Sequence, residues 1–136
     1  MSRKLVLAIA LAAFATAADA GFTQPAEVDV DLTNGLAQGD QVSARYTPDL
    51  VQYIGCGTRR FKLAAGGYFD SGFCQARDAA NEQFTCTTTD SGLLEAIHSS
   101  GDYGFITFSW DVATGECTRI GFSNQSFYLP KKLDRN

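Results

Sequence analysis

Four cysteines, Cys56, Cys74, Cys86 and Cys117, constrain this 136-residue chain more than any other feature. Their meaning depends on the compartment, and the first twenty residues point to it. Arg3 and Lys4 open the chain with positive charge, and Leu5 to Ala18 is an apolar run without a charged residue. Ala18-Asp19-Ala20 then supplies the small-x-small pattern that signal peptidase accepts. These three parts make residues 1–20 a secretory signal peptide, cleaved after Ala20. The apolar run is shorter than the roughly 20 residues that span a bilayer. The product is expected to be secreted or periplasmic, and the short Ala-rich leader is of a bacterial kind. Export to an oxidising compartment makes an even cysteine count read as two disulfides. Zinc fits poorly, because the chain has no C-x-x-C pair and a single histidine, His98.

Four cysteines allow three pairings. Phe73 to Asp78 and Glu82 to Thr87 flank Ala79-Ala80-Asn81, a short hairpin connection that sets Cys74 opposite Cys86. A disulfide needs that proximity. The expected bonds are therefore Cys74–Cys86 and Cys56–Cys117.

Removing residues 1–20 leaves 116 residues, enough for one domain over 21–130, followed by a flexible tail over 131–136. It also leaves nine basic and 14 acidic residues, a net charge of −5. An acidic surface repels phosphate backbones and anionic head groups, which argues against nucleic acid or membrane as the main partner. No later stretch approaches transmembrane length, so no membrane insertion is expected.

Short segments punctuated by glycine indicate a mainly β (α+β) fold. Val28, Val30 and Leu32 alternate with Glu27, Asp29 and Asp31, the pattern of a half-buried strand, and Asn34-Gly35 turns the chain. Gln41 to Tyr46 and Leu50 to Ile54 read as further strands. Gly55-Cys56-Gly57 reads as a bend and Asp70-Ser71-Gly72 as a turn. In Tyr103 to Trp110, Ile106, Phe108 and Trp110 share one face; Glu116 to Ser123 returns beside it, and Gln125 to Leu129 makes a last short strand. Thr89 or Asp90 caps a helix whose Leu93, Leu94, Ala96 and Ile97 form an apolar face. The expected architecture is a twisted antiparallel sheet or small sandwich with one short helix at about residues 90–99, stapled by two disulfides.

Chemistry is less sharply written. His98 could act as a general acid or base with Asp102, or sit at a helix end where its charge suits the dipole. Most carboxylates fall at predicted turns, where they satisfy local amides. Asp29 and Asp31 resemble the start of a calcium loop, but glycine stands at the wrong position and the terminal glutamate is missing. No metal or other cofactor is called for. The aromatic supply is more suggestive. Tyr46, Tyr53, Tyr68, Tyr103, Trp110 and Tyr128 lie beside turns and polar residues, and aromatic rings stack on sugar faces while amides and carboxylates bond the hydroxyls; Trp110, Tyr103, Tyr68 and Tyr128 are the expected ligand contacts. The leading expectation is a binding module for an extracellular or envelope glycan or a protein partner. The alternatives are a small hydrolase using paired carboxylates or His98, and a self-assembling structural subunit joined through strand edges.

Overall fold

A computed structural model describes residues 22–130; the expected signal peptide over 1–20 and the expected tail over 131–136 lie outside the described residues. The strand alternation at Ile106, Phe108 and Trp110 builds the centre of the molecule. Strand β6 (Phe105–Trp110) buries all three side chains. It pairs with β2 (Leu36–Asp40) on one side and β7 (Cys117–Ser123) on the other, and β1 (Asp29–Asp31) completes an antiparallel sheet in the order β1-β2-β6-β7. A second antiparallel sheet is formed by β3 (Tyr53–Lys62), β4 (Tyr68–Arg77) and β5 (Gln83–Thr88), in that order. The two sheets share one core: Val30, Ala37, Ile106 and Phe108 of the first meet Ile54, Cys74, Ala76 and Cys86 of the second. Phe84 of β5 stacks on Trp110 of β6 with ring centroids 4.2 Å apart, so an aromatic pair joins the layers.

The expected disulfide pairing is corrected. The hairpin is real, and Cys74 does lie opposite Cys86; but Cys74 is on the middle strand and lies opposite Cys56 as well. The bonds are Cys56–Cys74 and Cys86–Cys117. An antiparallel strand makes a close, non-hydrogen-bonded pair on one side of a residue and a wider, hydrogen-bonded pair on the other. A Cα–Cα distance of 4.0 Å marks Cys56–Cys74 as the close pair. Cys86, on the wide side, bonds instead across the core to Cys117 of the first sheet, with Cα atoms 5.1 Å apart.

Two further readings are corrected by local chemistry. Gln41 to Tyr46 is helix α1, not a strand. Its cap is the buried Asp40, whose carboxylate accepts from the backbone N–H of Ser43 (2.7 Å) and of Ala26 (2.6 Å). Capping of this kind outweighs a short apolar alternation. Residues 55–57 and 70–72 lie inside the ten-residue strands β3 and β4 rather than at bends. Gly72 is there for space: a Cβ at this position would stand 2.8 Å from Ile97 Cδ1 and 3.0 Å from Leu94 Cδ2 of helix α2 (Ser91–His98). Asp90 caps that helix as expected, accepting from Leu93 N–H at 3.0 Å. Ser126–Tyr128 is a turn of 3₁₀ helix in place of the expected last strand.

Two outcomes follow from this packing. Non-reducing peptide mapping should recover Cys56 with Cys74 and Cys86 with Cys117, and Cys86→Ser with Cys117→Ser should lower unfolding free energy by roughly 3–4 kcal/mol. Gly72→Val should cost about 1–3 kcal/mol by pushing α2 off the sheet, read as a fall in the denaturant midpoint.

Candidate functional site

The residues of the second sheet divide cleanly by parity. Ile54, Gly72, Cys74, Ala76, Cys86 and Thr88 point to the core and are buried. The alternate set stays at least partly exposed on β3, β4 and β5, and no element among the described residues lies over it: Tyr53, Gly55, Gly57 and Arg59; Ser71, Phe73, Gln75 and Arg77; Gln83, Thr85 and Thr87. A sheet face without a second layer is normally polar. This one carries aromatic rings with cations laid on them. The Arg59 guanidinium lies 4.8 Å from the centre of the Phe73 ring, and the Arg77 guanidinium 5.4 Å from that of Tyr53. Arg77 also donates to Gln83 Oε1 through Nε (2.9 Å) and Nη2 (2.6 Å), which fixes its plane. Gly57 lies under the edge of the Phe73 ring, while a Cβ at Gly55 would meet nothing. The outcome is an open strip of two rings, two guanidinium groups and several amides and hydroxyls.

The strip runs into a polar cleft of about 360 Å³ through Ser71 and Thr87. Thr88, Thr89, Asp90 and Glu116 line the remainder, with Cys117 at its base. Thr87 bridges to Glu116 at the entry to β7, so the Cys86–Cys117 bond and this bridge together hold the cleft walls in place.

The four aromatic residues expected to bind ligand are not brought together. Trp110 is 4 % exposed under Phe84, and Tyr128 is 8 % exposed against Phe105. Both serve the core. Tyr103 (44 % exposed) lies in the α2–β6 connection and Tyr68 (66 %) at the far end of β4. Of the residues that do form a surface, Tyr53 stands two residues before Gly55 and Phe73 stands opposite Gly57. The signal that could have found them is the odd-position alternation through those glycines.

His98 is exposed at the end of α2 and shares a hydrogen bond with Thr58 Oγ1 at 3.2 Å, not with Asp102. The carboxylate that feels its charge is Asp70 across the strand pair. Asp70 is held by Arg60 in a two-point contact, Nε–Oδ1 2.7 Å and Nη2–Oδ2 2.7 Å. That pairing, with the positive charge it brings, keeps the Asp70 carboxyl below the ordinary range. Asp31 accepts from the N–H groups of Thr33 (3.0 Å) and Asn34 (2.9 Å) and from the Asn34 amide, a turn-closing role. Asp111 closes its loop in the same way through Ala113 and Thr114. Among the described residues no group of three or more His, Cys, Asp or Glu side chains is disposed to hold a metal ion. No helix there is long and apolar enough to cross a membrane.

Comparison of the chain with protein-family models, curated proteins and solved structures finds no match.

The Arg60–Asp70 pair gives a direct test of the local electrostatics. Arg60→Ala should return the Asp70 pKa towards its ordinary value, followed by NMR of the side-chain carboxyl. Because the folded value is depressed, the pair's stabilisation is present above the unfolded pKa near 3.9 and fades as pH falls through the folded value.

Proposed function

We propose that the protein is a secreted binding module whose ligand is an extracellular or envelope glycan, held on the open face of β3, β4 and β5. One observation carries this reading: the open strip in which Tyr53 and Phe73 lie beside Arg77, Gln75, Gln83 and Thr85 with no layer over it among the described residues. Rings of this kind stack on the C–H face of a pyranose. Amide, hydroxyl and guanidinium groups at the same level bond its hydroxyls, and the guanidinium forks resist rotation because each is already stacked or bonded. An open sheet face suits an extended chain rather than a small enclosed molecule, since small-molecule sites are concave. The hydroxyl-lined cleft beside Ser71 and Thr87 would receive the end of such a chain or a branch from it.

The signal peptide and the two disulfides support an extracytoplasmic address for this activity. Stability drawn from disulfides also frees the outer sheet face from structural duty, so its rings can remain open to ligand.

A hydrolase remains the second reading because His98 Nε2 lies 3.2 Å from Thr58 Oγ1, a base beside a hydroxyl nucleophile. The two readings separate in one experiment. Tyr53→Ala should weaken polysaccharide affinity about tenfold, the worth of roughly 1.4 kcal/mol in one stacking contact, with little change in melting temperature. Binding is followed by affinity electrophoresis and calorimetry on soluble polysaccharides. Wild-type affinity in Tyr53→Ala would remove the strip from the reading. Turnover of a bound glycan that disappears in both His98→Ala and Thr58→Ala would establish the hydrolase instead.

A further inference from the structure

The net charge of the chain conceals a segregation. Among the described residues there are six Lys and Arg and 13 Asp and Glu. Four of the six cations, Arg59, Arg60, Lys62 and Arg77, lie on β3 and β4, together with one carboxylate, Asp70. The remainder of the fold holds two cations against 12 carboxylates. The basic part is also where the molecule is least covered. Strand β5 ends at the Thr88–Gly72 pair, but β3 and β4 continue as a two-stranded arm through the pairs Arg59–Ser71, Arg60–Asp70, Phe61–Phe69 and Lys62–Tyr68.

The arm's tip is Leu63-Ala64-Ala65-Gly66-Gly67, all exposed, with no side chain able to form a hydrogen bond. It is a formed turn: Leu63 N–H donates to Gly67 O at 3.1 Å and Gly66 N–H to Leu63 O at 3.0 Å. Gly66 (φ 91°) and Gly67 (φ 85°) supply the left-handed backbone it needs. Phe61, Leu63, Tyr68 and Phe69 expose large apolar surface around it. Phe61 and Phe69 are on one face of the arm, Lys62 and Tyr68 on the other, and neither face is covered. Arg60–Asp70 is the only ion pair among the described residues, so Arg59 and Lys62 have no carboxylate partner.

We propose that this arm docks the protein on a membrane surface rich in anionic lipid, with the tip at the level of the acyl-chain boundary and Arg59, Arg60 and Lys62 among the head groups. A convex tip that is apolar on both faces is matched by a medium that surrounds it, as lipid does. Aromatic rings favour the head-group level, and a cluster of Lys and Arg favours anionic lipid. The distances also agree. From Thr58 to Lys62 the arm projects about 14 Å beyond the last three-stranded pair. Interfacial insertion needs roughly 5–10 Å. With that depth inserted, about 4–9 Å of the arm is left between the lipid and the acidic body, comparable to the Debye length of about 8 Å at physiological ionic strength, so salt reduces the body's repulsion. This surface adjoins the glycan strip and shares Arg59 with it, while Tyr53, Gln75 and Arg77 lie over the three-stranded part of the sheet.

The test is co-sedimentation of the exported protein with vesicles. The protein is used without residues 1–20, whose apolar run would itself bind lipid; residues 22–130 carry both sheets and both disulfides. Mixed phosphatidylcholine–phosphatidylglycerol vesicles should bind it, and phosphatidylcholine alone should not. Raised salt should release it. Leu63→Asp and Lys62→Glu should each weaken partitioning about tenfold or more at unchanged melting temperature, because both side chains are exposed. Equal binding to both vesicle types, no binding to either, or wild-type binding by Leu63→Asp would overturn the proposal. So would salt-sensitive self-association without lipid that Lys62→Glu abolishes, which would assign the arm to a second copy of the chain.

Discussion

The Cys86–Cys117 bond is the constraint on which the rest of the structure depends. It is the one disulfide that joins the two sheets, and it does so beside the Phe84–Trp110 stack at the middle of the core. A domain of this size buries a limited fraction of its apolar surface, and cross-links supply stability that a larger core would otherwise provide. The second bond, Cys56–Cys74, stiffens β3 against β4 at the base of the arm. With both sheets tied together and the hairpin braced, nothing needs to cover the outer face of β3, β4 and β5. The face can carry Tyr53, Phe73, Arg59 and Arg77 in the open at little cost to the fold.

The same arrangement gives a small molecule two surfaces that meet at Arg59. The strip lies over the three-stranded part of the sheet, where the disulfides and α2 hold the backbone from behind. The arm begins where β5 stops and Gly72 lets α2 pack close. Beyond that point side chains contact only their cross-strand neighbours, and charge, not packing, sets their character. A net charge summed over the chain misses this, because acidic residues serve mainly as caps and turn closers: Asp31, Asp40, Asp49, Asp78, Asp90 and Asp111 each accept from nearby backbone N–H groups.

Much of the architecture was legible in the residues. The alternation at 105–110 named the central strand and its buried face. Ala79-Ala80-Asn81 marked the β4–β5 connection, and Asp90 with Leu93, Leu94 and Ile97 marked the eight-residue helix. Three things were not legible, each for a physical reason. Val42, Ala44 and Tyr46 alternate like a strand, but a buried carboxylate at Asp40 caps a helix, and burial cannot be read from one residue. Glycines at 55, 57 and 72 look like turn residues, whereas all three lie inside long strands, where Gly57 admits a ring and Gly72 a helix. Cutting β3 and β4 at those glycines hid the alternation that brings Tyr53 and Phe73 to one face and assigned ligand contact to Trp110 and Tyr128, which the core consumes. The cysteine rung was foreseen on one side only, since a middle strand offers Cys74 two neighbours.

On the proposed reading the open sheet face, and not the core aromatics, meets the ligand. Amide chemical-shift mapping of residues 21–136 with soluble chito-oligosaccharides and peptidoglycan fragments decides the matter: saturable shifts are expected only in residues 53–59, 71–77 and 83–90, with Trp110 and Tyr128 unmoved. Shifts centred on Tyr103, Trp110 or the 126–128 turn, with the strip silent, would rule that reading out.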